Sequence, residues 1–163
     1  MKRTLLAFFL LTACSRAATT TTTTTTSPVG APAPKASTEP VNNQLTGAAT
    51  PQAAVERFLT AVKAQDIQAM AVIFGTSSGP ARDNMNREEL EKRLIILQCY
   101  FNHDKFRIVG EQLGEGGHRI LTVELTRGTV TRSPKFYLIP GPGDRYYLDN
   151  MEIAAVRDFC RNR

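Results

Sequence analysis

The spacing of the apolar residues changes close to residue 104, and this change constrains the fold more than any other feature. Between Thr50 and Phe101 apolar residues recur every three or four positions, which is typical of amphipathic helices. After residue 104 apolar and polar residues alternate, which is typical of strands that bury one face. Helices followed by consecutive strands predict an α+β domain, with N-terminal helices packed on a curved antiparallel sheet.

Two helices are predicted at the start of this region. Thr50 is a favourable N-cap and Pro51 a favourable first helical residue. The apolar stripe of the first helix is formed by Ala54, Val55, Phe58, Leu59 and Val62. Asp66 then caps a shorter helix over residues 67–74; an acid catalyst is the less favoured interpretation of this aspartate.

The remaining elements follow from composition and period. Residues 75–84 are rich in Gly, Ser and Pro and predict a loop, and residues 87–101 predict a third helix. The predicted strands are KFRIVGEQL (105–113), HRILTVELTRG (118–128), SPKFYLIPG (133–141) and DRYYLDNME (144–152). Short turns between neighbouring strands predict an antiparallel meander, and residues 153–162 predict a short closing helix.

The first residues of the chain differ from all that follow. Lys2 and Arg3 precede an apolar stretch over residues 5–11, and Ser15 and Arg16 end it. A membrane-spanning helix needs about 20 apolar residues, so this stretch is too short to span. A basic start, a short apolar middle and small residues at the end are typical of a secretory signal.

The end of this signal carries a more specific pattern. Leu11-Thr12-Ala13-Cys14 resembles the lipobox of bacterial lipoproteins. The resemblance implies a signal peptide over residues 1–13, a diacylglycerol on the Cys14 sulfur, cleavage before Cys14, and acylation of the new N-terminus by a fatty acid such as palmitate. An ordinary cleaved signal with an incidental cysteine is the alternative.

Lipidation would place the protein in the cell envelope. Several acyl chains on Cys14 would anchor it stably to a membrane. Ser15 follows the cysteine, whereas lipoproteins retained at the inner membrane tend to have Asp there. The resemblance therefore favours the outer membrane, facing the periplasm, if the source cell has one.

A disordered linker is predicted over residues 14–49. It contains eight consecutive threonines, Thr19–Thr26, and four prolines, and it offers few apolar groups that could offset the entropy of ordering. Residues 50–163 then form one domain of ordinary size. The formal charge of +5 falls to +3 without Lys2 and Arg3. The basic residues of the chain are interleaved with acidic ones, which argues against a nucleic-acid partner.

The helical region also suggests a family. TPQAAVERFLTAVKAQDIQAMAVIF, residues 50–74, resembles the first two helices of the NTF2-like superfamily. The resemblance implies a cone of helices and curved sheet that encloses a pocket. Cystatin-like folds share this plan and are the structural alternative. The family's hairpin after the second helix is not evident in residues 75–86, so a reduced or open cone is expected.

Cysteine pairing follows from the lipobox. The chain contains 3 cysteines, and lipidation of Cys14 leaves Cys99 and Cys160. An exported protein with an even pair predicts a disulfide, with two separate buried thiols as the alternative. Neither cysteine belongs to a Cys-X-X-Cys motif or has a histidine at ligand spacing, so no metal site is predicted.

Few titratable residues are candidates for chemistry. Tyr100, His103 and Asp104 lie where the third helix gives way to the first strand. His103 beside Asp104 could act as an oriented general base, but a solvated His103 is the favoured interpretation. His118 follows GEGG at a hairpin tip and is predicted to lie on the surface.

The last predicted strand holds the other pocket candidates. Tyr147 and Asp149 share one face of DRYYLDN, while Tyr146 and Leu148 share the other. The latter pair is predicted to face the core. The low-ranked pocket candidates are thus Tyr100, His103, Tyr147 and Asp149.

These observations favour binding over catalysis. The sequence matches no catalytic motif, so no catalytic residue and no cofactor are predicted. The leading hypothesis is a membrane-anchored lipoprotein whose domain binds a small apolar ligand or an envelope protein. The alternative is an acid–base enzyme of the NTF2-like isomerase, cyclase or dehydratase kind. A purely structural role is the third possibility.

Overall fold

The structure is a computed structural model and describes residues 46–161. The predicted signal peptide, Cys14 and the linker up to residue 45 lie outside the described residues. Within residues 46–161, no helix combines the length and the apolar character needed to cross a bilayer.

The described elements follow the predicted order, helices first and strands second. The helices are α1 (Pro51–Ala64), α2 (Ile67–Ala71), α3 (Ala81–Asn84), α4 (Arg87–Phe101) and α5 (Arg157–Arg161). The strands are β1 (Gly75–Thr76), β2 (Gly79–Pro80), β3 (Lys105–Leu113), β4 (Arg119–Arg127), β5 (Val130–Arg132), β6 (Lys135–Gly141) and β7 (Arg145–Met151). Short 3-10 turns cover Glu115–Gly117, Pro142–Asp144 and Ile153–Val156.

The caps of the first two helices are confirmed. The Thr50 side chain accepts a hydrogen bond from the Ala53 amide at 3.1 Å, and the Asp66 carboxylate accepts one from the Ala69 amide at 2.9 Å. Helix α2 ends at Ala71, three residues before its predicted end, because the following backbone turns to the sheet. There the Leu148 amide donates to the Ile73 carbonyl at 3.0 Å.

The predicted loop over residues 75–84 was wrong in part. These residues form the two-residue strands β1 and β2 and the single turn α3. The hairpin brings the backbones of Gly75 and Gly79 so close that a Cβ on Gly75 would lie 2.3 Å from the Gly79 carbonyl oxygen. Two-residue strands leave no periodic pattern, so composition alone indicated a loop.

Helix α4 has its predicted bounds. The Asn86 side chain accepts hydrogen bonds from the Glu88 and Glu89 amides at 2.9 and 3.3 Å. The buried side chains of the helix are those of Leu90, Leu94, Leu97 and Phe101, as the spacing predicts.

The predicted disulfide is confirmed. It joins Cys99 in α4 to Cys160 in α5, with an S–S distance of 2.01 Å and a Cα–Cα distance of 5.1 Å. The two cysteines are 61 positions apart in the sequence, and the loop that they close contains all strands from β3 to β7.

The large sheet is an antiparallel meander, as predicted. Its order is β3-β4-β6-β7, and the short β5, which the sequence did not predict, pairs with β4. Pairing shifts register at two places, next to Val109 in β3 and next to Asp149 in β7. Each of these residues is the extra residue of a β-bulge.

One face of this sheet is filled by the core. Leu121, Val123 and Leu125 of β4 are fully buried, and so are Phe136 and Leu138 of β6. They belong to one cluster with buried side chains of the helices, which include Phe58, Leu59, Leu94 and Phe101. This face therefore holds packed side chains where the NTF2-like resemblance implied a pocket.

Residues 46–48, within the predicted linker, pack against β7. Ala48 and Tyr146 exchange two backbone hydrogen bonds, of 3.0 and 2.8 Å. Both Thr46 and Ala48 are buried.

Candidate functional site

A groove lies between α4 and the part of β7 that follows Leu148. Its volume is about 330 Å³. Apolar side chains form most of its lining, namely Phe74, Ile96, Leu97, Met151 and Ile153. Arg93, Asp149 and Asn150 supply its polar groups. We call this cavity the α4–β7 groove.

Ile96 is the most accessible apolar side chain of this groove. It is 53% exposed, whereas Leu97 beside it belongs to the core. Ile95, which is 55% exposed, does not line the groove. Arg93 stands one turn before Leu97 and forms an ion pair with Glu89 at 2.7 Å. Helix α4 thus presents two apolar side chains, Ile96 and Leu97, and one cationic side chain to the cavity.

The bulge in β7 determines the position of Asp149. Leu148 pairs with Leu138 and Asn150 pairs with Tyr137, so Asp149 is left without a partner residue in β6. A bulge of this kind redirects side chains and bends the strand. The Asn150 side-chain oxygen accepts a hydrogen bond from the Met151 amide at 2.8 Å. Asp149 consequently lines the groove and also a second cavity.

The second cavity, which we call the outer hollow, has a volume of about 430 Å³. It is lined by Glu115, His118, Ile120, Tyr137, Asp149 and Asn150. Ile120 pairs with Tyr137 while the next residue, Leu121, faces the core. Because neighbouring strand residues point to opposite faces, the hollow lies on the side of the sheet away from the core.

His118 and Asp149 form an ion pair in the outer hollow. Nε2 of His118 lies 2.9 Å from Oδ2 of Asp149, and Nδ1 lies 2.9 Å from the Glu115 carbonyl oxygen. Both oxygens only accept hydrogen bonds, so both contacts form together only when the imidazole carries two protons. The hydrogen bond that the ring donates to Asp149, followed by the one that it donates to the Glu115 carbonyl, raises the pKa of His118. The sequence predicted a surface residue; the structure shows a partly buried ring whose two nitrogens both face oxygen acceptors.

This arrangement limits what the pair can do chemically. A general base needs a ring nitrogen with a free lone pair. An imidazolium that donates a hydrogen bond from each nitrogen has none. The pair is therefore suited to holding two chain segments together. Its only sequence signal was the Gly-rich turn before His118, which does not indicate the distant partner Asp149.

His103 contradicts the sequence prediction. It was predicted to be solvated, but it is 3% exposed, and its Nδ1 donates to the Phe101 carbonyl at 2.8 Å. Burial lowers the pKa of His103, and the bond to Phe101 acts in the opposite direction. The carboxylate of Asp104 accepts a hydrogen bond from the Gly128 amide at 2.7 Å. His103 thus provides a hydrogen-bond donor for a carbonyl in the last turn of α4. Asp104 fixes the turn at Gly128.

The two tyrosine candidates also have structural positions. Tyr147 is 1% exposed, and its hydroxyl lies 3.4 Å from the Thr46 hydroxyl. Leu148 belongs to the core, as predicted, whereas Tyr146, like Tyr100, is only partly buried and packs against the core. Of the four pocket candidates, Asp149 alone lines the two cavities described above, within the part of the chain that the structure covers.

Among residues 46–161, no group of three or more His, Cys, Asp or Glu side chains lies close enough to hold a metal ion.

Comparison with known proteins gives a limited result. No family model matches the chain, and no curated protein matches it significantly. A solved structure similar to it is an NTF2-like protein of unknown function from Cytophaga hutchinsonii, with 17% identity and a TM-score of 0.37. The match covers 61% of this chain and 90% of that chain. A similarity of this degree carries no information on activity.

Proposed function

We propose that the chain is a lipid-anchored lipoprotein of the bacterial cell envelope whose α+β domain binds a ligand at the α4–β7 groove without catalysing a reaction. The ligand is a small apolar molecule or an apolar part of another envelope protein. The proposal includes an NTF2-like origin of the domain, which rests on the order of helices and meander strands and on the sequence of residues 50–74.

The anchor rests on the sequence. Leu11 to Cys14 satisfy the lipobox directly after a basic start and an apolar stretch of signal length. The acylated Cys14 would hold the domain on a membrane, and the Thr/Pro-rich residues that follow would act as a spacer. Ser15 favours an outer-membrane position facing the periplasm.

The groove is the observation that carries the binding function. Small-molecule sites are concave, mostly apolar and furnished with a few polar groups, and volumes of roughly 300–1,000 Å³ are usual. The α4–β7 groove meets this description through its five apolar side chains and through Arg93, Asp149 and Asn150. The exposure of Ile96 supports an apolar occupant, because ligand binding would remove this side chain from water.

The acid–base enzyme remains the second candidate because of the outer hollow. His118, Asp149 and Tyr137 converge there, and these are residue types used in proton transfer. The hydrogen bonds of His118 speak against it, since both ring nitrogens are occupied by acceptors. The filled core face of the sheet also leaves the pocket expected of such enzymes occupied by side chains.

Native mass spectrometry of the full-length chain, extracted in mild detergent, tests the binding function. We expect wild-type protein to retain an additional small molecule or partner, and Ile96→Asp to lose it because a carboxylate would be desolvated in the groove. Ile95→Asp is the matched control, since Ile95 is equally exposed but does not line the groove. Equal retention by both variants, or no bound species in the wild type, would contradict the proposal.

A further inference from the structure

The His118–Asp149 pair connects two distant parts of the chain. His118 follows the 3-10 turn at the tip of the β3–β4 hairpin, and Asp149 is the bulged residue of β7. The tip contains Gly116 and Gly117, both with positive φ (63° and 83°), a conformation that glycine adopts without strain. The side chain of His118 thus joins a glycine-rich turn to the sheet.

The surroundings of His118 determine its charge state. Glu115 of the turn, Tyr137 of β6 and Asp149 of β7 are the titratable residues that line the outer hollow with it. Arg119, the next residue along the chain, forms an ion pair with Glu111 at 3.4 Å. The groups that line the hollow with His118 are therefore acidic or neutral, and they favour the protonated ring.

We propose that His118 and Asp149 form a pH-sensitive latch, in which the imidazolium holds the hairpin tip on β7 and loss of its proton releases the tip. The neutral ring has one N–H group, so it can donate to the Glu115 carbonyl or to the Asp149 carboxylate, but not to both. One of the contacts that the protonated ring makes is then lost. The contact with Asp149 is either lost or weakened from an ion pair to a hydrogen bond from a neutral ring, so in both cases the turn over residues 114–118 is held less firmly on β7.

The direction of the pH effect follows from linkage. The pKa of His118 in the folded chain is raised above the ordinary value of about 6.5. The stability that the latch contributes is therefore fully present below that ordinary pKa and is lost as the pH rises through the raised pKa. The latch is closed below pH 6.5 and opens as the pH rises through the raised pKa of His118.

NMR titration of the full-length chain tests this inference directly, because the sequence has 2 histidines. We expect the His118 ring to titrate above 6.5 and the His103 ring below it. Asp149→Asn keeps the shape of the side chain but removes its charge, so it should lower the pKa of His118 and leave that of His103 unchanged. Asp144→Asn removes the same charge from a different turn and should change neither.

Amide exchange measures the release of the tip. In the wild type, the amides of residues 115–118 should exchange about tenfold faster above the pKa of His118 than below it, after correction for the intrinsic pH dependence, as expected when a charged hydrogen bond is lost. Asp149→Asn should abolish this difference. The latch is refuted if His118 titrates at or below the pKa of His103, or if Asp149→Asn leaves both the titration and the exchange unchanged. Neither readout measures binding in the α4–β7 groove, so failure of the latch and failure of the proposed binding function are distinguishable.

Discussion

At the scale of single residues, the two histidines show how surroundings set chemical character. His103 lies inside the protein at the end of α4, where burial disfavours its charged form. His118 has two oxygen acceptors that favour the charged form. The sequence predicts that both histidines are exposed to solvent, because the neighbouring residues record neither the burial of His103 nor the contact of His118 with Asp149.

The contribution of His103 to the stability of the domain should fall as the pH drops below 6.5, in the direction opposite to the contribution of His118. The unfolded chain binds a proton at His103 near pH 6.5, whereas the folded chain, in which the pKa is lowered, resists protonation until a lower pH. Denaturation in urea at pH 7.5 and at pH 5 gives the change in the free energy of unfolding, and comparison with a His103 variant isolates the part that His103 contributes. In His103→Asn, which keeps a donor for the Phe101 carbonyl but does not titrate, the loss should be smaller. An equal loss in both proteins would contradict the assignment.

Gly75 is required by a close approach of two backbones. Its alanine variant would place a Cβ at 2.3 Å from the Gly79 carbonyl oxygen, so the β1–β2 hairpin would have to shift. We expect a loss of about 2 kcal/mol or more in the free energy of unfolding, measured in urea. Gly110→Ala is the control, because its Cβ would meet only the Thr122 side chain at 3.9 Å, and it should change stability by less than about 0.5 kcal/mol.

At the scale of elements, regular segments were predictable and short ones were not. The buried stripe of α4 specifies the helix and its bounds, and alternation specifies β3 over the predicted residues. The hairpin of β1 and β2 and the three-residue β5 are too short to produce a period. β1 pairs with β2 in a sheet of its own and β5 pairs with β4, and neither pairing leaves a period in the local sequence.

The phase of α4 can be tested with neighbouring residues. Leu94 is completely buried, and its alanine variant should lose about 2–5 kcal/mol of stability. Ile95 is 55% exposed, and its alanine variant should change stability by less than about 0.5 kcal/mol. Thermal or urea unfolding gives both values. Similar losses for the two variants would mean that α4 presents a different face to the core.

The Cys99–Cys160 disulfide should be a major source of stability. Closing a loop of 61 residues restricts the unfolded chain by about 4 kcal/mol in the chain-entropy model. Replacing both cysteines by alanine should lower the free energy of unfolding by roughly this amount, measured in urea against the oxidised wild type. Non-reducing peptide maps check the pairing, and the disulfide is refuted if the two cysteine peptides migrate separately before reduction.

At the scale of the whole molecule, the candidate site is assembled from three separate segments. Phe74 ends the turn after α2, Ile96 belongs to α4, and Asp149 to Ile153 form the end of the sheet and the turn beyond it. Asp149 was a candidate in the sequence because alternation along the strand places it on the same face as Tyr147. Its partner His118 and the groove itself were not predictable, because both depend on the bulge that separates Leu148 from Asn150.

Membrane fractionation of the full-length wild type and its Cys14→Ala variant tests the central claim, a lipid-anchored protein of the envelope, most directly. We predict that the wild type sediments with membranes as the cleaved chain, whereas Cys14→Ala is released or remains as the longer precursor. Ser15→Ala, which leaves Leu11 to Cys14 intact, should stay anchored. Unchanged fractionation and unchanged size of Cys14→Ala would contradict the claim.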